Sequence, residues 1–251
     1  MRVLLLITKG ELGGAQTHVL ELCRALAGRV DFLVLIGGEA SSPLGDELTR
    51  CGVRVQHVAS IGNSMSPLPV LRSVWRVLQI ARSWAPDAIH VHSAAAAVVG
   101  RLAGSLAGVA VVYTVHGFGF KPAVPWPRRT VAYAVECLLA PLTHAMICVS
   151  DHERGLSHRL PIAAQRVKVV SNGLSDRPMR AAPGTTPPTL VMVARMAAPK
   201  RHDLLLEALA ILRGRGVEQC STVLVGSGPQ HNDLQARVHE LGLTQVQLPG
   251  D

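Results

Sequence analysis

Aromatic side chains are scarce: three Phe, three Trp and two Tyr in 251 residues. Val, Leu, Ile and Ala must therefore fill the core, a mixture that suits buried parallel strands flanked by Ala/Leu helices. Charged residues make up only 17% against 48% hydrophobic, which excludes general disorder and leaves the polar stretch near 176–188 as its one candidate. The five cysteines (23, 51, 137, 148 and 220) include no C-x-x-C pair. That excludes a disulfide framework, and they read as reduced, mostly buried thiols of a cytosolic protein. The apolar run VLLLI after Arg2 is too short for a signal-peptide core. Residues 94–112 invite the question of a membrane span, but Arg101 and three glycines interrupt them. A helix followed by a strand explains them better.

Several motifs are missing too. There is no G-x-G-x-x-G fingerprint, no P-loop Lys-Ser/Thr, no G-x-S-x-G elbow and no Asp-x-Asp for a metal-held nucleotide. Zinc-finger spacing, RNP-like aromatics and a Lys-rich tail are absent, which places nucleic acid last among partners. The net charge of +8 still needs a reading. Residues 1–175 carry 17 Lys/Arg against 10 Asp/Glu, and residues 176–251 carry 8 against 7. An anionic membrane surface, a phosphorylated substrate or a merely solvated basic face each account for the first part.

What is present is an alternation. Strand-like runs at 2–7, 31–36, 53–58, 87–92, 110–115, 145–150 and 167–171 are interspersed with helical stretches, notably about 15–27 and 68–84. The pattern predicts an α/β fold with a parallel sheet and its loops along one active edge. A first domain over 1–174 is followed by SDRPMRAAPGTTPP (175–188), an interdomain linker by composition. A second series over 189–251 has strands at 189–194, 221–226 and 246–248, with helices near 200–213 and 230–241. Leu204, Leu205, Ala208, Leu209 and Leu212 are expected on its inner helical face. Strand 189–194 is expected to be central, yet it has neighbours on one side only, so the second domain reads as cut short.

Four loops carry candidate chemistry. Gly10, Gly13 and Gly14 lie between the first strand and a helix, as a phosphate seat or simply a tight turn. Arg195 and Lys200 bracket the next such junction in the second domain, as a diphosphate grip or as two solvated cations. Gly226, Gly228 and Pro229 form a third, with Pro229 suited to a first helical turn. His116 ends a strand, where it would face a sugar hydroxyl or phosphate, or merely close a turn. His90 and His92 share a face, but no third ligand sits at a sensible spacing, so no metal is expected.

Seven collinear segments give these loops a common context: GGAQTHVLEL, DAIHVHSAAAAVVGRLAG, YTVHGFGF, ICVS, VKVVSNG, VARMAAPKRHDLLLEAL and VGSGPQHNDLQARVHELGL. Together they resemble the retaining glycosyltransferases of family 4, within the GT-B superfamily (glycosyltransferase group 1). The resemblance implies two Rossmann-like doubly wound domains, the second incomplete, and transfer of a sugar from a UDP- or GDP-sugar. The acceptor would be a glycan, a lipid-linked or a small molecule. By resemblance Arg195 and Lys200 hold the donor diphosphate, with His116 as the third catalytic residue facing the sugar. Gly13, Gly14, Gly226, Gly228 and Pro229 would line the donor, and Gln16 and His18 the acceptor. No metal or other cofactor is implied.

Two departures stand out. The family's E-x7-E element is absent before Asp251, and Gln16 stands where many members have Glu. The 251-residue chain alone is therefore expected to be inactive or weak. Alternatives are a non-catalytic or split subunit completed by a partner chain, or a nucleotide-sugar epimerase of the same architecture. Trp126, Arg128 and Arg129 head an expected helix that would favour peripheral contact with the inner face of an anionic membrane, or simply solvate a helix start.

Overall fold

The first apolar run becomes a strand whose side chains alternate between two cores. Leu4 and Leu6 face one, while Val3, Leu5 and Ile7 face the other, all buried. A strand covered on both faces has no polar side, which is why RVLLLI shows no alternation. The computed structural model describes residues 1–11, 13–38, 40–62, 66–122, 124–176, 188–198, 200–217 and 220–250. The chain divides into two units, Met1–Asp176 and Arg177–Asp251.

In chain order the first unit contains β1 (Arg2–Ile7), α1 (Gly14–Ala25), β2 (Asp31–Gly37), α2 (Pro43–Arg50), β3 (Arg54–Val58), α3 (Pro67–Trp84), β4 (Ala88–Val91), α4 (Ala94–Ala107), β5 (Ala110–Val115), α5 (Trp126–Leu139), β6 (Ala145–Cys148), α6 (Asp151–Ser157) and β7 (Val167–Val169). The seven strands form one parallel sheet in the order β3-β2-β1-β4-β5-β6-β7. Helices α1 and α2 cover one face through Val19, Leu20, Cys23, Leu44 and Leu48. Helices α3 and α4 cover the other through Val74, Val77, Ala96 and Val99. The strand order reverses between β1 and β4, so the loops leaving those strands part and open a crevice at their carboxyl ends.

The second unit contains β8 (Thr189–Val193), α7 (His202–Gly214), β9 (Ser221–Val225), α8 (His231–Glu240) and β10 (Val246–Gly250), with a parallel sheet ordered β10-β9-β8. β8 is at the sheet's edge, with Val191 and Val193 exposed. The linker expected over 175–188 falls, apart from its ends, outside the described residues.

Three points differ from the sequence reading. Helices α2 and α6 were not anticipated, because each is short; serines cap both, Ser42 accepting from Gly45 N and Ser150 from Glu153 N. The buried face of α7 is His202, Leu206 and Leu209, while Leu204 and Leu212 are exposed. Three consecutive leucines wrap more than half the helix, so periodicity alone does not settle which side turns inward. Only Cys23 and Cys148 are buried; Cys51 is exposed and Cys137 and Cys220 are intermediate. Burial pushes the Cys23 thiol up to about 12, leaving it unreactive at neutral pH. As expected, 94–112 is α4 followed by β5. Among the described residues no helix is long and apolar enough to cross a membrane.

Candidate functional site

In the first unit the crevice at the β1/β4 switch point gathers histidines. His92 follows β4 and is fully buried, His116 follows β5, and His18 lies on α1, the helix that follows β1. His92 Nδ1 and His116 Nε2 are 3.3 Å apart. The His18 ring centroid is 5.4 Å from that of His92 and 5.1 Å from that of His116. His90, two residues before His92 on the same face, bonds Thr114 Oγ1 through Nε2 at 2.8 Å. The pair HVH thus has companions that sequence spacing does not reveal, because α1 and β5 bring them.

Burial keeps this cluster neutral. It lowers His116 to about 4 and His90 to about 3, each helped by neighbouring imidazoles, and holds His92 well below the usual range. His18 is lowered by burial as well. The sign follows directly. An unfolded histidine protonates near 6.5, so the unfolded chain takes up protons first as pH falls from there towards 4. Stability contributed by the neutral cluster is complete above that window and is lost through it.

The glycines at the start of α1 are open. Gly13 is the extended N-cap, with no side-chain cap on the helix and no acidic residue in the first turn. A Cβ added at Gly14 would meet nothing within 4 Å, and one at Gly13 only the Gln16 side chain. Gln16 itself is committed to the turn, its Nε2 donating to the Lys9 carbonyl at 3.1 Å. The start of α1 is therefore uncrowded at Gly13 and Gly14, and a helix N-terminus favours an anion or polar oxygen.

Residues that the sequence reading missed hold the loop after His116. Glu153, buried on α6, accepts from the Phe118 amide at 3.2 Å and pairs with Lys121. Nearby, Arg101 on α4 is fully buried; it donates to Glu136 at 2.9 Å and to the Ala97 carbonyl at 3.0 Å, and lies over the Tyr113 ring. The clue was available: a lone arginine inside an apolar Ala/Val helix needs a buried carboxylate, and Glu136 was the acid within reach on the next helix.

In the second unit Arg195 and Lys200 occupy the connection from β8 to α7, both exposed. Among the described residues neither is in an ion pair, whereas adjacent Arg201 is bound to Asp203 at 2.7 Å. Gly226 and Gly228 have φ of 138° and 158°, and a Cβ on either would strike the carbonyl of Ala194 or Met196. The two loops are laced together: Met196 N donates to Ser227 O at 2.9 Å and Gln230 N to Met196 O at 3.1 Å. Pro229 is exposed and precedes Gln230, the N-cap of α8, so it lies ahead of the first helical turn rather than in it. His202 is buried with neither ring nitrogen partnered among the described residues.

Residues 12–177 match the family model described as Glycosyltransferase Family 4, and residues 178–251 the model described as Glycosyl transferases group 1. The chain belongs to glycosyltransferase family 4. This family 4 chain is 26% identical over 212 residues to the Escherichia coli UDP-Gal:alpha-D-GlcNAc-diphosphoundecaprenol alpha-1,3-galactosyltransferase, covering 78% of the chain and 54% of that protein. It spans about half the length of the curated relatives it matches. Among solved structures, Anabaena HepE in complex with UDP and glucose superposes with a TM-score of 0.76 at 20% identity, over 100% of this chain and 69% of HepE. The UDP-GlcNAc 2-epimerase of Methanocaldococcus jannaschii also superposes, with a TM-score of 0.61 at 9% identity, over 100% of this chain and 73% of the epimerase. The fold is thus the α/β fold expected from the alternation, in the GT-B form that the resemblance implied and that transferases and epimerases share, and the family models place this chain with the transferases.

Proposed function

We propose that this chain serves the transfer of a sugar from a nucleotide diphosphate sugar to a lipid-linked glycan, with retention of configuration. The observation that carries the reading is Arg195 with Lys200: two exposed cations on a glycine-braced loop, without a carboxylate partner among the described residues. A departing nucleoside diphosphate gains negative charge as the glycosidic bond breaks. A guanidinium and an ammonium already in place stabilise that charge without reorganising. A transfer through an oxocarbenium-like transition state then asks for positioning more than for a nucleophile. Since the two cations supply the charge, the transfer needs no metal.

Other residues take roles by resemblance. Neutral His116 would face the moving sugar, and the open α1 terminus at Gly13 and Gly14 would admit its oxygens or a phosphate. Gln16 and His18 would lie towards the acceptor. Gly226, Gly228 and Pro229 would serve the nucleotide side by bracing the Arg195 loop. UDP is the favoured nucleotide, because the E. coli relative is named for UDP-Gal and HepE was solved with UDP.

A lipid-linked acceptor suits the first unit. A groove of about 670 Å³ runs between α4 and α5, lined by Ala94, Val98, Pro127, Val131 and Val135 with Arg128 at its rim. Trp126 and Leu138 are exposed on the same helix, so α5 would rest on an anionic membrane face from the cytoplasmic side. Flotation with vesicles that is indifferent to anionic lipid would remove the membrane part.

The central test is calorimetric titration with UDP. Arg195→Ala and Lys200→Ala are each expected to weaken binding by about 10- to 100-fold, the worth of a hydrogen bond to a charged group. No UDP binding, or variants that bind as tightly as the parent, would overturn the proposal.

A further inference from the structure

The histidines of the first unit have a capacity that sugar transfer does not use. One ring nitrogen from each of His18, His92 and His116 lies within 4.8 Å of the other two. The three come from α1, the end of β4 and the end of β5, and the sheet and its covering helix fix their mutual positions. No carboxylate belongs to the group.

The spacing suits an ion better than a hydrogen-bond network. His92 Nδ1 and His116 Nε2 are 3.3 Å apart, beyond the usual N–H donor distance of about 2.7–3.2 Å. Ligands at about 2.0–2.1 Å around a tetrahedral zinc stand about 3.3 Å from one another. Two of the three nitrogens are thus already spaced as an edge of such a site, and a nitrogen of half-buried His18 lies within 4.8 Å of both.

We propose that His18, His92 and His116 form a three-histidine site for a borderline transition-metal ion of the Zn2+ class at the switch point of the seven-stranded sheet. Three imidazoles without a carboxylate select Zn2+, Co2+, Ni2+ or Cu2+ over Mg2+ or Ca2+. Three protein ligands leave a fourth position for water. Where His116 faces the sugar, as in the function proposed above, the ion competes with the donor and acts as a brake. Ion binding itself does not depend on that reading.

The test uses the full chain, stripped with chelator and titrated without any nucleotide sugar. Calorimetry with Zn2+ is expected to show one ion per chain, and Co2+ to give the intense visible bands of tetrahedral coordination. His18→Gln, on a half-exposed helical face that a glutamine tolerates, is expected to weaken Zn2+ by at least about 10- to 100-fold, as loss of even an outer partner of a metal ligand does. His116→Ala gives a second, independent loss, with folding checked by circular dichroism. His152→Gln, at an exposed histidine on α6, is expected to leave the titration unchanged. Absence of saturable binding would overturn the proposal. So would binding that survives both site variants, or Mg2+ competing as well as Zn2+.

Discussion

Two glycine turns, each between a strand and a helix, look alike in the sequence and differ in kind. At Gly13-Gly14 an added Cβ meets only a flexible glutamine or nothing at all. At Gly226 and Gly228 it meets carbonyls of the neighbouring loop, at φ values that side-chain-bearing residues avoid. The first pair is not needed by the fold and leaves space in front of a helix terminus. The second is needed by the fold, and what it holds is the loop carrying Arg195. A glycine at a strand-to-helix junction thus acts either by making room or by bracing a neighbour, and only the surroundings tell which.

The largest effect should come from the braced loop's side chain. Arg195→Ala is expected to lower whatever sugar transfer the parent chain sustains, itself expected to be weak, by about 10²- to 10³-fold, the cost of one preorganised donor to a developing anion. Because Arg195 is exposed and unpaired among the described residues, its unfolding free energy should change by no more than about 0.5 kcal/mol. Steady-state kinetics with a denaturant curve on the same preparation separates the two. A large stability loss would make Arg195 structural and break the contrast. Next in size, Gly228→Ala should cost about 1–3 kcal/mol through strain and weaken UDP binding as the Arg195 loop shifts. A stable variant with intact binding would show that the bracing is dispensable.

How much of this was legible beforehand follows from what each signal depends on. The parallel sheet was readable because β1, β2 and β5 are apolar runs set between helical stretches. Arg195 and Lys200 were readable because their spacing survives in the linear chain. The histidine cluster was not. His18, His92 and His116 meet only after a seven-stranded sheet has formed, and linear spacing cannot reach from α1 across β4 to β5. Glu153 was missed because its helix has only seven residues, too few for a periodic signal. The face of α7 was misjudged because a leucine-rich helix carries too little contrast to orient itself.

Glu153 provides an intermediate test, of positioning within the first unit. Glu153→Gln keeps the shape but gives up the charge that pairs with Lys121 and strengthens the bond from Phe118 N. It is expected to cost about 1–2 kcal/mol, as loss of a charged hydrogen bond does. Transfer should fall through misplacement of His116 while UDP affinity stays unchanged. Equal losses in both would mean that the substitution unfolds the unit rather than shifting its loop.

The smallest expected effect sharpens the comparison most, because its sign is unusual. Gly14→Ala replaces a helical glycine at a position where nothing opposes the methyl group. The alanine restricts the unfolded chain, so the variant should gain about 0.4–1 kcal/mol, read as a higher thermal midpoint. The same methyl occupies the space in front of the α1 amides, so donor turnover should fall even as stability rises. Opposite movements of the two quantities in one variant would show that this glycine is kept for room. A variant that is both more stable and fully active would mean that nothing approaches Gly14 during catalysis, and the first glycine turn would then be a plain strand-to-helix connection.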